Sequence, residues 1–178
     1  MVVHHYTAQD ASIPTDLLNA AAAVYAHCFR GSPWNEPDWT TELAVLVFEN
    51  ILQRDGDVFL AVDVSESEVL GFGMGYPMEH NPEIDALKSM HLPEDSYWFS
   101  DVGTHVNHRR NGIGTTMIRE RLACAKRRGF KTVTTRTLPG CMQHHLLLKH
   151  GFSGDSLTQF DTGGKESLRI LLQCALAQ

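Results

Sequence analysis

The sequence predicts a mixed α/β domain built on one sheet. Three observations carry that expectation. At 178 residues the chain has the length of one domain, expected to span residues 1–178. Its apolar pattern switches repeatedly between a two-residue and a 3.6-residue period, the mark of alternating strands and helices. Near its middle, the stretch from Val102 to Thr116 runs from an apolar strand through a basic, glycine-rich turn into an amphipathic helix.

In chain order, Val2–Thr7 is a short strand. Pro14–Arg30 is an alanine-rich helix with Leu17, Leu18, Ala21, Val24 and Tyr25 on one face. Gly31–Trp39 carries two prolines and a glycine and is a loop. Thr41–Arg54 is a second helix, with Leu43, Leu46, Val47 and Leu52 as its expected buried side, and Asp55-Gly56 ends it. Val58–Val64 and Val69–Met78 pair across the polar turn Ser65–Glu68. Glu79–Asp95, with two prolines and many polar residues, is an insertion or lid.

Tyr97–Val106 is a strong strand. Gly112–Arg128 is the clearest helix, with Ile113, Met117, Ile118, Leu122 and Ala125 on one stripe. Its last turn, Lys126-Arg127-Arg128, suits the negative helix end, and Gly129 is a natural stop. Lys131–Thr137 is rich in β-branched residues and forms a strand, and Pro139-Gly140 turns the chain. Cys141–His150 is a short helix closed by Gly151. Phe152–Phe160 and Ser167–Cys174 form a final hairpin around Thr162-Gly163-Gly164.

Composition excludes several classes. The hydrophobic share of 43% and charged share of 20% are those of an ordinary globular chain. A formal net charge of −6 excludes a basic nucleic-acid coat. No apolar run reaches the ~20 residues that span a bilayer. The start MVVHHYTAQD lacks the pattern of a secretory signal. Cys28, Cys124, Cys141 and Cys174 form no CxxC pair. These features predict a cytoplasmic protein that binds neither nucleic acid nor membrane. No metal is expected, because there is no HExxH spacing and His105-x-x-His108 straddles a strand end.

The chemistry lies in the turn Arg109-Arg110-Asn111-Gly112-Ile113-Gly114. A strand that passes through such a turn into a helix presents several backbone N–H groups at the helix N-terminus, and together with the macrodipole they bind a pyrophosphate. Gly112 and Gly114 let the backbone approach phosphates closely. Arg109 and Arg110 add positive charge, and Thr115 and Thr116 add hydroxyl donors. The order R-x-x-G-x-G differs from the dinucleotide fingerprint, no acidic residue sits where a ribose ligand belongs, and a Walker pattern is absent.

This motif resembles the Q/R-x-x-G-x-G/A signature of the GNAT superfamily, the acyl-CoA-dependent N-acetyltransferases. The strand Lys131–Thr137 and the ending Leu147-Leu-Lys-His-Gly-Phe152 are similar to that family as well. The resemblance implies a mixed, mostly antiparallel sheet of six to seven strands, splayed at its centre and flanked by about four helices. It implies acetyl-CoA as co-substrate. Val102, Gly103 and Thr104 would lend backbone to the pantetheine arm, and Arg109, Arg110, Asn111, Gly112, Ile113, Gly114 and Thr115 would hold the pyrophosphate. The implied reaction is direct attack of a substrate amine on the thioester, with no acylated enzyme residue. An amine of pKa about 10.4 and a thiol of about 8.5 both need help with protons near pH 7.

Three familiar positions of the family are empty. Its usual tyrosine acid falls on Leu147, a glutamate base near Thr135, and a capping asparagine near Gly140. The candidates to replace them are His144 and His145 at the start of the last helix, whose side chains diverge by about 100°. Cys141 is a further candidate acid. Ser100 is expected on the face of Val102 and Trp98, holding a proton-relaying water. Asp101 alternates to the opposite face and is set aside. Trp34 and Glu36, with Asp38, lie in the loop where the family builds its acceptor site. Their acidity predicts a small cationic or polar amine, from a small molecule or a peptide, and a homodimer is compatible with it. The alternatives are a non-catalytic acyl-CoA-binding module of the same fold, favoured by Leu147, and a nucleotide-binding regulator.

Overall fold

The computed structural model describes residues 1–10, 12–65, 67–83, 92–93, 95–155, 157–162 and 165–176. The strands are β1 (Val2–Thr7), β2 (Asp57–Val62), β3 (Val69–Pro77), β4 (Tyr97–Thr104), β5 (Thr132–Thr137), β6 (Leu157–Thr162) and β7 (Lys165–Ala175). The helices are α1 (Thr15–Arg30), α2 (Thr41–Gln53), α3 (Ile113–Arg127) and α4 (Met142–Lys149). The strands form one sheet in the order β1-β2-β3-β4-β5-β7-β6. Every pairing is antiparallel except the central one, β4 with β5.

Helices cover both faces, so β2 and β3 are buried at every position, as their nearly continuous apolar sequences require. One face packs Ala21, Tyr25, Phe29, Phe48 and Ile51 of α1 and α2 against Leu60, Phe72 and Trp98. On the other, α3 sets Ile113, Met117 and Cys124 against Phe59 and Ala61, and Leu147 of α4 joins Tyr97, Phe99 and Phe152. Room for α3 and for the Tyr97 ring comes from glycines on β3. A Cβ at Gly73 would stand 3.2 Å from Nε of Arg121, and one at Gly75 would collide with the Tyr97 ring.

The helix pattern needs one correction. Leu43 and Leu46 of α2 are exposed, and Ala44, Phe48 and Ile51 carry its buried face. The stripe rotates because Phe48 is the side chain that reaches Tyr25 and Phe72. Strand ends shift too. β4 stops at Thr104, followed by a 3-10 turn at Val106–His108. β6 begins at Leu157, and Ser153 makes only an isolated bridge to Gln173. Most of the expected lid at Glu79–Asp95, along with Glu66 of the first hairpin turn and Gly163-Gly164 of the last, lies outside the described residues.

Asp57 at the start of β2 ties four elements together. It accepts from His5 Nε2 of β1 (2.7 Å), the Tyr97 hydroxyl of β4 (2.6 Å), Arg128 just past α3 (2.6 Å) and Cys124 Sγ of α3 (3.3 Å). The carboxylate is 1% exposed. Burial alone would raise its pKa, but the hydrogen bonds from His5, Tyr97 and Arg128 outweigh that and hold it below the ordinary value. A depressed folded pKa contributes stability above the unfolded value of about 3.9, and that contribution is lost as pH falls through the folded pKa. Acid unfolding followed by circular dichroism is therefore expected to show a transition below about pH 4 that weakens in Asp57→Ala. At neutral pH that variant should lose about 3–5 kcal/mol in urea titrations, the cost of breaking a buried pair from one side.

Candidate active site

β4 and β5 share only three residue pairs, Tyr97–Phe99 with Val133–Thr135. The Thr135 hydroxyl donates to the carbonyl of Phe99 (2.9 Å) at the last of them. Beyond that point β4 continues to Thr104 paired with β3 alone, so among the described residues its edge toward β5 has no strand partner over residues 100–104. Val102, Gly103 and Thr104 lie on this open edge. Val102 turns its side chain into the α3 side of the core, so what it offers a ligand is backbone.

The open edge leads into the glycine turn. Arg110 and Gly112 both have positive φ, 67° and 80°. The chain thus curls twice before α3 begins, and no side chain caps the helix. Nothing lies within 4 Å of where a Cβ of Gly112 would be. The N–H groups of the first turn, at Ile113, Gly114 and Thr115, thus lack a side-chain cap at the positive end of the helix dipole. Ile113 itself is 3% exposed, so it too offers only backbone. Arg109, Arg110 and Asn111 are exposed around the turn, and Arg109 Nε donates weakly to the Thr104 carbonyl (3.4 Å). At Gly114 α3 lies close against α4, since a Cβ there would stand 3.1 Å from Leu146. Behind the turn, His108 Nε2 lies 2.9 Å from Glu68, and His105 is close to both.

At the other end of the open edge is a cavity of about 240 Å³ on the α1 and α2 face. Trp34, Glu36 and Ser100, singled out from the sequence, all line it, and so does Asp101, which was set aside. The reason is a bulge. Gly73 pairs with Val102 and Gly75 with Phe99, so β4 uses three steps where β3 uses two. The extra residue reverses the alternation. Trp98 faces α1, Phe99 faces α3, and past the bulge Asp101 faces α1 while Val102 faces α3. The expectation that Ser100, Val102 and Trp98 share a face is thereby overturned. A glycine-rich partner strand was the one available signal for the bulge.

Asp101 accepts a hydrogen bond from the Tyr25 hydroxyl (3.1 Å). Burial raises its pKa above the ordinary carboxylate value, opposed by that hydrogen bond and by Arg136. Tyr25 stacks between Phe29 and Phe72 at 4.4 and 5.3 Å, which fixes its direction, and burial pushes its own pKa upward. Other charges complete the wall. Arg136 of β5 makes a two-pronged pair with Glu83, one arm at 3.0 Å. Arg169 of β7 lies 4.9 Å over the Trp34 ring. Glu36 accepts from Trp39 Nε1 at 2.7 Å. The anionic rim expected from Glu36 and Asp38 is thus a mixed one, because β5 and β7 each bring an arginine to it.

The histidines stand elsewhere. His144 Nδ1 accepts from the Gly140 backbone N–H (2.9 Å) and so closes the turn into α4. His145 is exposed, and neither lines the cavity. Cys141 caps α4 by accepting from His144 N (3.4 Å) and contacts the Thr137 hydroxyl (3.3 Å). Leu147 is fully buried among Phe99 and Phe152, so the apolar core occupies the place where a hydroxyl was sought.

A family model described as the acetyltransferase (GNAT) family matches residues 18–152. Solved structures share the fold. Ribosomal-protein-alanine N-acetyltransferase from Brucella melitensis superposes with a TM-score of 0.73 at 21% identity, covering 99% of this chain and 100% of that one. A phosphinothricin acetyltransferase from Sinorhizobium meliloti, in complex with AcCoA, gives 0.72 at 15%, covering 99% and 90%. An N-acetyltransferase from Staphylococcus aureus Mu50 gives 0.72 at 15%, covering 99% and 100%. No protein of curated function matches the sequence itself.

The Tyr25–Asp101 contact is directly measurable. Carboxyl titration by NMR is expected to find Asp101 above the ordinary value of about 3.9. In Tyr25→Phe it should move higher still, because a donor to the charged form is removed. A downward move would contradict the contact.

Proposed function

The chain belongs to the GNAT family of acetyltransferases, and from that premise we propose that it carries the acetyl group of acetyl-CoA to a primary amine of a small molecule or peptide, by direct attack of the amine. The observation that carries this reading is one continuous path: the uncapped turn at Gly112, the open β4 edge over residues 100–104, and the cavity at Asp101. A pyrophosphate, a pantetheine arm and an acceptor fit these three in that order. Acetyl-CoA supplies a thioester whose acyl carbon accepts the amine.

The chain's own residues do the rest. Arg109, Arg110 and Asn111 with the N–H groups of Gly112 to Thr115 hold the phosphates. Backbone at Val102, Gly103 and Thr104 pairs with the pantetheine amides and leaves an N–H for the developing oxyanion. Asp101, held by Tyr25, takes the amine proton directly or through a water on Ser100. Its raised pKa makes it a stronger base than an ordinary carboxylate. As the new C–N bond forms the C–S bond breaks, and the thiolate takes its proton from solvent, since Leu147 offers none. His144 and His145 are the candidates for that second proton if solvent does not supply it. Trp34 and Glu36 contact the acceptor. We assign the reaction to the cytoplasm, consistent with four free cysteines and with no described helix long and apolar enough to cross a membrane.

Leu147 favours a second reading, a module that binds acyl-CoA without turnover, and amine-dependent release of free thiol decides between the two. Asp101→Asn is expected to lower kcat/KM by roughly 10²–10⁴-fold and to remove the acidic limb of its pH profile. A profile that keeps that limb would remove Asp101 from the reaction. His144→Ala and His145→Ala leave the profile as it is if solvent serves the thiolate.

Cofactor affinity gives a separate check. Gly112→Val places a β-branched residue at φ 80°, a strain of about 1–2 kcal/mol. Calorimetry with coenzyme A should register at least about tenfold weaker binding by a variant that still folds. Undiminished affinity would detach the turn from the phosphates.

A further inference from the structure

Two clusters among the described residues bring three metal-ligating side chains within 4.8 Å of one another. The first, His5 with Asp57 and Cys124, is closed. Its carboxylate already accepts from Arg128 and from the Tyr97 hydroxyl, each at 2.6 Å, so a cation there would meet a guanidinium on its own ligand. The second, Glu68 with His105 and His108, is partly exposed and open to an ion from solvent.

In sequence these two histidines straddle a strand end, which is why no metal is expected of them. The fold changes that. β4 ends at Thr104, and Val106–His108 forms a 3-10 turn whose first carbonyl, that of His105, accepts from His108 N (2.9 Å). Residues i and i+3 of such a turn eclipse one another. The two imidazoles therefore stand on one side, with ring centroids 5.4 Å apart. Glu68 reaches them from the start of β3, and its Oε1 lies 2.9 Å from His108 Nε2. The backbone beneath is fixed. His105 N donates to the Leu70 carbonyl (2.9 Å), and the Glu68 carbonyl and N–H are both bonded to Asp63, at 3.0 and 3.1 Å. One polar contact has to be exchanged. Asn107 N donates to His105 Nδ1 at 3.4 Å, and a metal on either ring nitrogen ends that contact, because the other nitrogen then carries the proton. At that length the loss is small.

We propose that Glu68, His105 and His108 form a binding site for a divalent transition ion of the zinc class. Two imidazoles and a carboxylate are a donor set for such an ion. The ion replaces the proton between His108 Nε2 and Glu68 Oε1, and that proton leaves to Nδ1 or to solvent. With bonds of about 2.0–2.2 Å, tetrahedral ligands stand roughly 3.4 Å apart, so the pair opens by about half an ångström. Water fills the remaining position. The bound ion fastens the entry of the Arg109–Gly114 turn to the start of β3, whatever reaction the cleft carries out.

The test uses the full chain free of any histidine tag. Calorimetry with Zn²⁺ is expected to show one equivalent bound. His105→Gln, His108→Gln and Glu68→Gln should each weaken it by at least about tenfold, since even a partner that only supports a metal ligand is worth roughly 10–100-fold. Circular dichroism checks that the variants fold. NMR of the histidine rings reads the same site in the wild-type protein. Added Zn²⁺ should shift His105 and His108 before the rest of the ten histidines. No binding, affinity undiminished in any of the three variants, or first shifts at other histidines overturns the proposal.

Discussion

β4 and β5 run parallel for three residue pairs and then part, and that parting makes the site possible. Among the described residues, a half-buried strand edge over residues 100–104 is left without a neighbour, where its backbone polar groups need partners. Such an edge is stable in a working protein when a ligand with amide groups of its own completes it. The parting coincides with the bulge opposite Gly73–Gly75, just where β4 leaves the region paired to β5. The same extra residue turns Asp101 toward Tyr25. One irregularity thus decides the face on which Asp101 lies.

Holding such a cleft open requires rigidity on both sides, and two buried charged groups, Asp57 and Arg121, supply it. Asp57 gathers donors from β1, β4, α3 and the residue after α3, so its burial is compensated and it locks the sheet to the helix. Arg121 is fully buried, stacks 4.1 Å over Phe99 and donates to the Met74 carbonyl (3.1 Å). Burial lowers its pKa to about 10, leaving it cationic at neutral pH. It supports Phe99, the last paired residue before the strands separate. Asp101 is the opposite case. It keeps one side-chain donor, Tyr25, and its pKa is shifted upward. Asp57 has four side-chain donors whereas Asp101 has Tyr25 among the described residues, and a perturbed carboxylate of the second kind is a candidate for a functional role.

The order of elements and the turn at Arg109–Gly114 were legible in the sequence, because each follows from local rules: periodicity, β-branching, and the conformations open to glycine at φ 80°. Trp34 and Glu36, singled out by the family resemblance, and Ser100, singled out by its place on the strand, all line the cavity at Asp101. What tertiary structure decided was everything that depends on registry between distant segments. The bulge exists only in the pairing of β3 with β4, so strict alternation sent Asp101 to the wrong face. The exposed Leu43 and Leu46 reflect where α1 and β3 meet α2, a contact that the helix pattern does not contain. Arg136 and Arg169 lie on strands separated by α4 and join the cavity only because β7 pairs with β5, which is why a rim that is acidic in sequence is mixed in charge once folded.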